Sequence, residues 1–397
     1  MNIAGIVAEY NPFHRGHLYH IEQTKAQLGG DALIVCVMSG DFVQRGEAAV
    51  FSKFARSEAA CHSGADLIVE LPLPWCLSSA EGFARGAVSL LDRLSCQTIS
   101  FGSEAGELNS LSRLAETLSS DEMNDSVRQM LSKKPNMSYA YARQLAVRER
   151  CGDLSALLET PNNILALEYL KAIRSLNSGL RAITVRRIGS PHDGVGGIVQ
   201  SAAELRCRLQ NGDSMIDMLP DAAAEVFMHE EQFGPGRPDP ERLETALMSR
   251  LRMLSADDYE HLPDAADGLG RKLMQAAAEG PDLASVMEAV KSKRYAMSRI
   301  RRMICSAALG LRQGMASLEP PYARVLAANA RGCELLHDLR GKELPLVTKP
   351  AAVRELDAAA VECFELGSRA HDLFVLCSAK EGMRRGGMDW RTGPVIL

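Results

Sequence analysis

The sequence predicts an α/β protein, with a Rossmann-like, doubly wound parallel sheet followed by an all-α domain. Through the first hundred residues, short β-branched runs alternate with helical stretches, which is the order typical of a doubly wound sheet. Beyond about residue 205 this alternation stops, and Ala-, Leu- and Arg-rich helical segments continue to the end. Since 397 residues suffice for two or three domains, we predict an α/β domain over residues 1–205 and a helical domain over residues 206–397.

Each strand of the first domain is predicted from a short apolar run. These runs occupy residues 2–8, 32–38, 66–71, 98–101 and 182–188. Helical spacing is found between them, over residues 12–28 (where a turn leads into the helix), 52–63, 80–94, 108–158 and 164–176. Ser52 is expected to cap the second helix, and the Gly-rich residues 190–197 are predicted to form a mobile loop.

Composition excludes several classes of protein. Apolar residues make up 46% of the chain and the net charge is −5, which is ordinary for a globular protein and not for a disordered one. No apolar run approaches the ~18 residues of a membrane helix, and the N-terminus lacks the basic region and cleavage site of a signal peptide. The ten cysteines include no Cys-x-x-Cys pair. We therefore expect a cytoplasmic protein without a membrane segment or a structural metal.

The strongest chemical signal is the segment directly after the first strand, Glu9-Tyr10-Asn11-Pro12-Phe13-His14-Arg15-Gly16-His17. Pro12 ends the strand, and Gly16 lets the backbone approach a ligand closely. His14 and His17 are three residues apart at a helix start, so a phosphate there would meet both imidazoles and the free N–H groups. The alternative is an ordinary pair of surface histidines. The coincidence of strand, turn, glycine and helix start favours the phosphate site.

This His-x-Gly-His pattern is the signature of the nucleotidyltransferase superfamily, and the chain resembles one family within it, the tRNA(Met) cytidine acetate ligases. The resemblance extends over nearly the whole chain because further similar blocks follow in order. These blocks lie at 37–47, 53–56, 64–72, 101–104, 161–165, 186–187, 293–302 and 344–345. The resemblance implies a nucleotidyltransferase-type sheet in the first domain and a tRNA-binding role for the helical domain.

The activity implied by the resemblance is a two-step ligation. ATP first activates acetate as acetyl-adenylate with release of pyrophosphate. The N4 amine of the wobble cytidine of elongator tRNA(Met) then attacks the acyl carbon, giving N4-acetylcytidine and AMP. Mg²⁺ is expected because ATP arrives bound to it. The resemblance assigns catalysis to His14 and His17, and it places ATP on Val7, Ala8, Glu9, Tyr10, Asn11, Pro12, Phe13, His14, Arg15, Gly16, His17, Leu18, Tyr19, His20, Gly102, Asn162 and Arg187.

The chemistry of adenylation agrees with several of these positions. A carboxylate is already a competent nucleophile, so the reaction needs positive charge and donors at the phosphates and not a general base. His14 and His17 can supply donors. Lys53, with Arg56, can add charge near the phosphates; the alternative is an exposed helix face. Gly102 follows the fourth strand, at the edge of the sheet where open α/β folds bind ligands.

Two of the remaining site assignments have an alternative reading. Asn162 either contacts the nucleotide or caps the helix that follows it, and Arg186 competes with Arg187 for the phosphate.

A Ser/Thr-rich segment often closes over the triphosphate in this superfamily, but here Ala203 and Glu204 replace hydroxyl residues. Fewer donors and an added carboxylate are expected to weaken phosphate binding.

The densest basic segment, residues 291–302, is predicted to bind RNA. An apolar stripe at helical spacing should face the core, formed by Met297, Ile300, Ile304, Ala308 and Leu311. One flank of the same helix would then carry Lys291, Arg294, Tyr295, Arg301 and Arg302. Basic residues with an interleaved aromatic suit an RNA backbone and an unstacked base. The alternative is a solvated helix face.

Two other functions remain open at this point. A small-molecule nucleotidyltransferase, which joins a nucleotide to a phosphorylated metabolite, shares the His-x-Gly-His site but does not need a large basic helical domain. A non-catalytic tRNA-binding relative would keep the fold without turnover, which the altered segment around Ala203 permits.

Overall fold

The computed structural model describes residues 2–134, 137–187, 201–266 and 268–397. The strands in these ranges are β1 (Ile3–Ala8), β2 (Leu33–Ser39), β3 (Phe42–Val43), β4 (Glu47–Ala48), β5 (Leu67–Leu71), β6 (Thr98–Ser103), β7 (Arg181–Arg186), β8 (Ala323–Ala328), β9 (Leu346–Val347) and β10 (Val395–Ile396). The five strands predicted in the first domain are confirmed with small shifts at their ends. The predicted loop at 190–197 lies outside the described residues.

Helices account for most of the remaining structure. They are α1 (Arg15–Gln27), α2 (Lys53–His62), α3 (Leu73–Cys76), α4 (Ala80–Arg93), α5 (Leu108–Leu118), α6 (Asp121–Lys133), α7 (Tyr139–Cys151), α8 (Pro161–Ser175), α9 (Ala202–Gln210), α10 (Asp221–Phe233), α11 (Pro240–Met253), α12 (Ala256–Glu260), α13 (Leu269–Glu279), α14 (Leu283–Val290), α15 (Met297–Leu309), α16 (Ala330–Asp338) and α17 (Ala358–Leu376). Ser52 caps α2 as expected, because its side chain accepts a hydrogen bond from the Ala55 N–H.

The strand order shows where a ligand can bind. The main sheet has the order β10-β8-β5-β2-β1-β6-β7, with β9 paired to β8. The chain runs from β1 outward through β2 to β5 and then returns to the other side of β1 to form β6 and β7, all parallel. The loops after β1 and β6 therefore diverge. The crevice between them, at the carboxyl ends of the strands, is the usual ligand position in this topology.

Helices cover both faces of the sheet, as a parallel sheet requires. Val35 and Val37 of β2 pack into one core, to which α4 and α8 contribute. Cys36 and Met38, which alternate with them, pack into a second core with α2 and α10. A third core joins α11, α13, α14 and α15 away from the sheet. The α/β class predicted from the sequence is confirmed.

The expectation that strands end near residue 205 is wrong. β8 pairs antiparallel with β5 in the main sheet, and β9 and β10 pair with β8. β8 has the sequence Ala-Arg-Val-Leu-Ala-Ala and is buried along its whole length, so neither an alternating pattern nor β-branched enrichment distinguishes it from a buried helix. The other two strands contain two residues each. The division into domains at residues 1–205 and 206–397 stays a prediction.

A buried network of charges joins this returning segment to the first half of the chain. The ammonium of Lys53 lies 3.0 Å from carboxylate oxygens of both Glu70 on β5 and Asp389 near β10. Arg324 on β8 donates to the other Asp389 oxygen at 2.6 Å. Burial by itself raises the pKa of Asp389, but Lys53 and Arg324 outweigh it and hold that pKa well below its usual range. Two cations therefore balance two carboxylates in this part of the interior.

Replacing Asp389 with alanine is expected to destabilise the protein strongly. Asp389→Ala leaves the Lys53 and Arg324 cations buried against Glu70 alone, and breaking a buried pair in this way costs about 3–5 kcal/mol. Urea unfolding followed by circular dichroism measures the loss. Glu381→Ala, which removes an exposed carboxylate nearby in sequence, is the matched control. Equal stability of the two variants would show that the network does not hold the segment.

Candidate active site

The turn from β1 into α1 builds one wall of the crevice. Asn11 is buried, and its Oδ1 accepts a 2.7 Å hydrogen bond from the Val50 N–H, which fixes the orientation of the amide. Its Nδ2 group is buried without a hydrogen-bond partner among the described residues. A buried donor left unpaired is costly. This amide is therefore ready to donate to a ligand such as a phosphate oxygen.

The two histidines of the motif are held by the backbone of the helix that they begin. His14 is the N-cap of α1, and its Nδ1 accepts a hydrogen bond from the Gly16 N–H at 3.0 Å. The Nδ1 of His17 accepts from the His14 N–H at 3.2 Å, and the two rings lie 3.9 Å apart. Because each Nδ1 is an acceptor, each neutral ring carries its proton on Nε2. The two Nε2–H groups are then the donors available to a ligand.

Burial keeps these imidazoles uncharged. It lowers the pKa of His14 to about 4, with further lowering by the nearby Arg187 and Arg206 guanidiniums. Burial and the charges of neighbouring rings hold the pKa of His17 well below its usual value. His20, whose Nε2 lies 2.9 Å from the Ser100 Oγ, also has its pKa lowered to about 4 by burial and Arg187. The motif therefore offers neutral donors, and the positive charge comes from the arginines.

The ends of β6 and β7 form the opposite wall. Glu104 accepts hydrogen bonds from the backbone N–H of Asn163 at 2.9 Å and from the Asn162 side-chain amide at 2.6 Å, so this carboxylate caps the start of α8. The Asn162 Oδ1 in turn accepts from Arg187 at 3.4 Å. A Cβ at Gly102 would lie 3.3 Å from the Arg187 Cγ, which explains the glycine there. The alternative that the Asn162 side chain caps α8 is wrong, because it links Glu104 to Arg187.

The third wall is the start of α9. Ser201 and Glu204 cap this helix reciprocally, with the Ser201 N–H donating to the Glu204 carboxylate at 2.7 Å. Arg206 reaches from the first turn and donates to the Asn11 carbonyl at 2.9 Å. Ala203 contributes no donor at this position. Glu204 uses its carboxylate on its own helix end, so Arg206 is the group on α9 that offers positive charge to a ligand.

These walls enclose a cavity of about 390 Å³. Ligand pockets of this kind are typically about 300–1,000 Å³. Its lining combines apolar side chains, among them Phe101, Ile164 and Leu165, with the histidines and arginines described above. This combination suits a ligand that has both a flat apolar group and phosphates.

The structure brings together most of the predicted nucleotide-binding residues. The cavity is lined by Val7, Ala8, Glu9, Tyr10, Asn11, His14, His17, His20, Gly102, Asn162 and Arg187. The motif residues outside its lining are Pro12, Phe13, Arg15, Gly16, Leu18 and Tyr19. Of these, Phe13 is buried beside the Tyr10 and His17 rings and supports them. Arg187, and not Arg186, is the arginine of the β7 end that lines the cavity.

Lys53 does not join this group, and it does not lie on an exposed helix face either. Its ammonium is fully buried in the ion pairs with Glu70 and Asp389, and it is not part of the cavity wall. Arg56 is also fully buried, and its guanidinium donates to the carbonyls of Glu9, Ser39, Gly40 and Phe51. A basic pair at a helix start resembles a phosphate-binding pair in sequence, but here Arg56 holds backbone carbonyls and Lys53 holds two buried carboxylates.

The predicted RNA-binding residues divide into two groups. Lys291 and Arg294 are exposed and precede α15, whereas Arg301 pairs with Glu47 and Arg302 donates to Asp264 at 3.1 Å. The predicted flank on one helix is wrong because α15 begins at Met297. The apolar stripe is buried as expected at Ile300, Ile304, Ala308 and Leu311.

Sequence reasoning assigned no role in the site to Glu104, whereas Arg206 ends the segment around Ala203 that is expected to close over the triphosphate. Glu104 directly follows β6, so its place at the carboxyl edge of the sheet could have been predicted from the sequence. Arg206 lies far along the chain, and only the fold brings it to Asn11.

Within the described ranges, no cluster of His, Cys, Asp or Glu could hold a metal ion, and no helix is long and apolar enough to cross a bilayer.

Comparison with known proteins agrees with the fold and the site. A model of the family described as HIGH Nucleotidyl Transferase matches residues 1–388, and the chain belongs to that family. The tRNA(Met) cytidine acetate ligase of Acetivibrio thermocellus is 32% identical, with the whole of both chains covered. The ligase of the same name from Thermoanaerobacter sp. is 36% identical over 95% of each chain. Within the nucleotidyltransferases, the chain is therefore a member of the tRNA(Met) cytidine acetate ligase family, as the motifs indicated.

Solved structures give the same result. Thermotoga maritima TmcAL bound with alpha-thio ATP matches with a TM-score of 0.92 at 30% sequence identity. The apo form of that protein matches with a TM-score of 0.93. Both matches cover the whole of the two chains, so the C-terminal strands belong to the shared fold.

The lowered histidine pKa values predict how stability depends on pH. His20 has a pKa of 6.5 in an unfolded chain and about 4 in the fold, so the unfolded state takes up a proton first as the pH falls. Its contribution to stability is complete above pH 6.5 and is lost by about 1.4 kcal/mol per pH unit toward pH 4. Wild type should therefore lose stability more steeply than His20→Gln in urea unfolding at pH 7, 6 and 5. His62→Gln, at an exposed histidine, should keep the wild-type slope; parallel curves for all three would contradict the assignment.

Proposed function

We propose that this protein is an ATP-dependent ligase that forms acetyl-adenylate and transfers the acetyl group to N4 of the wobble cytidine of elongator tRNA(Met). The observation that carries the proposal is the cluster of donors in one cavity: the Nε2–H groups of His14 and His17, the unpaired Asn11 amide, and the guanidiniums of Arg187 and Arg206. Membership of the acetate ligase family supplies the acid and the acceptor.

In the first step, an acetate oxygen attacks the α-phosphorus of ATP and pyrophosphate leaves. Negative charge grows on the phosphate oxygens during this displacement, and donors already aimed at them lower its barrier. The neutral His14 and His17 side chains supply such donors, while Arg187 and Arg206 balance the added charge. The start of α1 also offers its dipole to the phosphates.

The rest of the nucleotide has a complementary place in the cavity. The apolar side chains of Phe101, Ile164 and Leu165 in the cavity wall suit the adenine base. Gly102 lets the nucleotide approach the end of β6, since even a Cβ there would press on Arg187. Mg²⁺, which accompanies ATP, would supply positive charge that offsets part of the charge of the phosphates.

The tRNA would bind mainly to residues 206–397, with residues 1–205 forming the catalytic domain. Lys291 and Arg294 are exposed beside Tyr295, whose ring lies 5.8 Å from the Arg294 guanidinium. Arg301 and Arg302 also pair with Glu47 and Asp264, and these pairs join α15 to β4 and to the segment before α13. A tRNA substrate places the reaction in the cytoplasm.

The first experiment tests the reaction and the site together. Purified protein is incubated with ATP, Mg²⁺, acetate and total tRNA, and the digested RNA is analysed for N4-acetylcytidine by mass spectrometry. Product should form only when acetate is present. Removing the donor in His17→Ala should slow acetate-dependent ATP–pyrophosphate exchange about 10²–10³-fold, the usual loss for one such donor.

Other results of that experiment would identify a different function. Pyrophosphate release that needs a phosphorylated metabolite, but neither acetate nor tRNA, would identify a small-molecule nucleotidyltransferase. Binding of tRNA without any acetyl-adenylate would identify a non-catalytic relative.

A second experiment tests the tRNA surface. The double variant Lys291→Ala, Arg294→Ala should weaken tRNA binding and reduce the slope of log affinity against log salt concentration by about 1–2. ATP–pyrophosphate exchange should not change, since these residues lie outside the cavity. The double variant Lys133→Ala, Lys134→Ala removes two exposed charges at the end of α6 and is the control. If both double variants weakened tRNA binding equally, the loss would reflect general attraction between positive charge and RNA, and Lys291 and Arg294 would not form a specific binding surface.

A further inference from the structure

The carboxylate of Glu9 lines the nucleotide cavity, and it is an acceptor among the donors proposed for adenylation. Glu9 follows β1 directly, and its Oε1 accepts a 2.9 Å hydrogen bond from the Gln44 N–H, which belongs to the turn between β3 and β4. Its carbonyl is held by Arg56. The residue is half-buried and lines the same cavity as His14 and Arg206. Backbone and side chain are both fixed, so the carboxylate has a defined position in the site.

A carboxylate is unsuited to contact the triphosphate, because two anions repel each other at short range. Its natural partner is a hydrogen-bond donor or an acidic proton. Burial raises the pKa of Glu9, although the Gln44 N–H and the charges of Arg206, Arg45 and Arg56 lower it. A carboxylate with a raised pKa is a better proton acceptor near neutral pH.

We propose that Glu9 binds the acceptor: its carboxylate accepts a hydrogen bond from the exocyclic N4 amine of the cytosine and takes a proton from it as the amide forms. This inference rests on the proposed ligase function and concerns only the second step. Glutamate accepting from cytosine N4 is an established mode of base recognition. The same contact would therefore serve to orient the base and to activate the amine.

The proton balance of the second step requires such a group. The N4 lone pair forms a bond to the acyl carbon of acetyl-adenylate, and the bond from that carbon to the phosphate oxygen breaks. AMP leaves with the electron pair. The nitrogen begins with two protons and keeps one in N4-acetylcytidine, so one proton must leave it. The Glu9 carboxylate receives that proton and releases it to solvent afterwards.

The turn that holds Glu9 also borders a second cavity. Gln44 and Arg45 line the nucleotide cavity, and the next residues, from Gly46 to Val50, line a larger and mainly apolar cavity of about 740 Å³. Arg206 lines both cavities. We therefore expect a cytosine to approach Glu9 from the side of the larger cavity.

The test separates the two chemical steps. Acetate-dependent ATP–pyrophosphate exchange measures adenylation, and mixing preformed enzyme-bound acetyl-adenylate with tRNA in a single turnover measures transfer. Glu9→Gln keeps the acceptor for the Gln44 N–H but cannot take a proton. It should slow transfer about 10²-fold more than it slows exchange. Glu9→Asp should recover part of the transfer rate, and Glu22→Gln, an exposed glutamate on α1, should behave as wild type in both assays.

Other outcomes would overturn the inference. A raised KM for ATP with an unchanged transfer rate would assign Glu9 to the ribose hydroxyls of the nucleotide. Equal losses in both steps, or no loss in either, would also exclude the acceptor role. Absence of acetyl-adenylate in the wild-type protein would refute the proposed function itself, which is a separate result.

Discussion

The geometry of the site depends on the buried guanidinium of Arg56. It donates to the carbonyls of Glu9, after β1, of Ser39 and Gly40, at the end of β2, and of Phe51, before α2. Without the arginine, these carbonyls would lose these hydrogen bonds, and a buried carbonyl without a partner is costly. The planar guanidinium directs its donors at several acceptors in fixed directions, unlike the flexible ammonium of lysine. The motif after β1 is thereby fixed relative to the loop after β2.

The second constraint is the return of the chain to its first sheet. β8 lies antiparallel beside β5, and this places Arg324 next to Glu70. Lys53 at the start of α2 and Asp389 before β10 complete the balance of charge. A helical half that ended outside the sheet would leave the edge of β5 unpaired. The C-terminal strands thus cover that edge and carry half of the ion network that supports α2.

The sequence supports a detailed prediction wherever pattern and chemistry are local. The strands of the first half, the Ser52 cap and the placement of His14 and His17 at a helix start all follow from short segments. The ion pairs of Lys53 could not be predicted from the sequence. Its partner Asp389 is 336 residues away, and nothing in the local sequence distinguishes a buried lysine from one that binds phosphate. The ion pair of Arg301 could not be predicted from the sequence for the same reason. Its partner Glu47 lies in another part of the chain.

The hydrogen bonds that fix the two motif histidines also affect how the site empties. Each Nδ1 is used by the backbone and burial lowers each pKa, so the rings donate without carrying charge. Hydrogen bonds from neutral donors hold an anion less firmly than those from ammonium or guanidinium groups. A polyanion that has separated from the reacting centre is therefore attracted mainly by Arg187 and Arg206, which line the cavity. The neutral histidine donors that position ATP therefore also favour release of AMP.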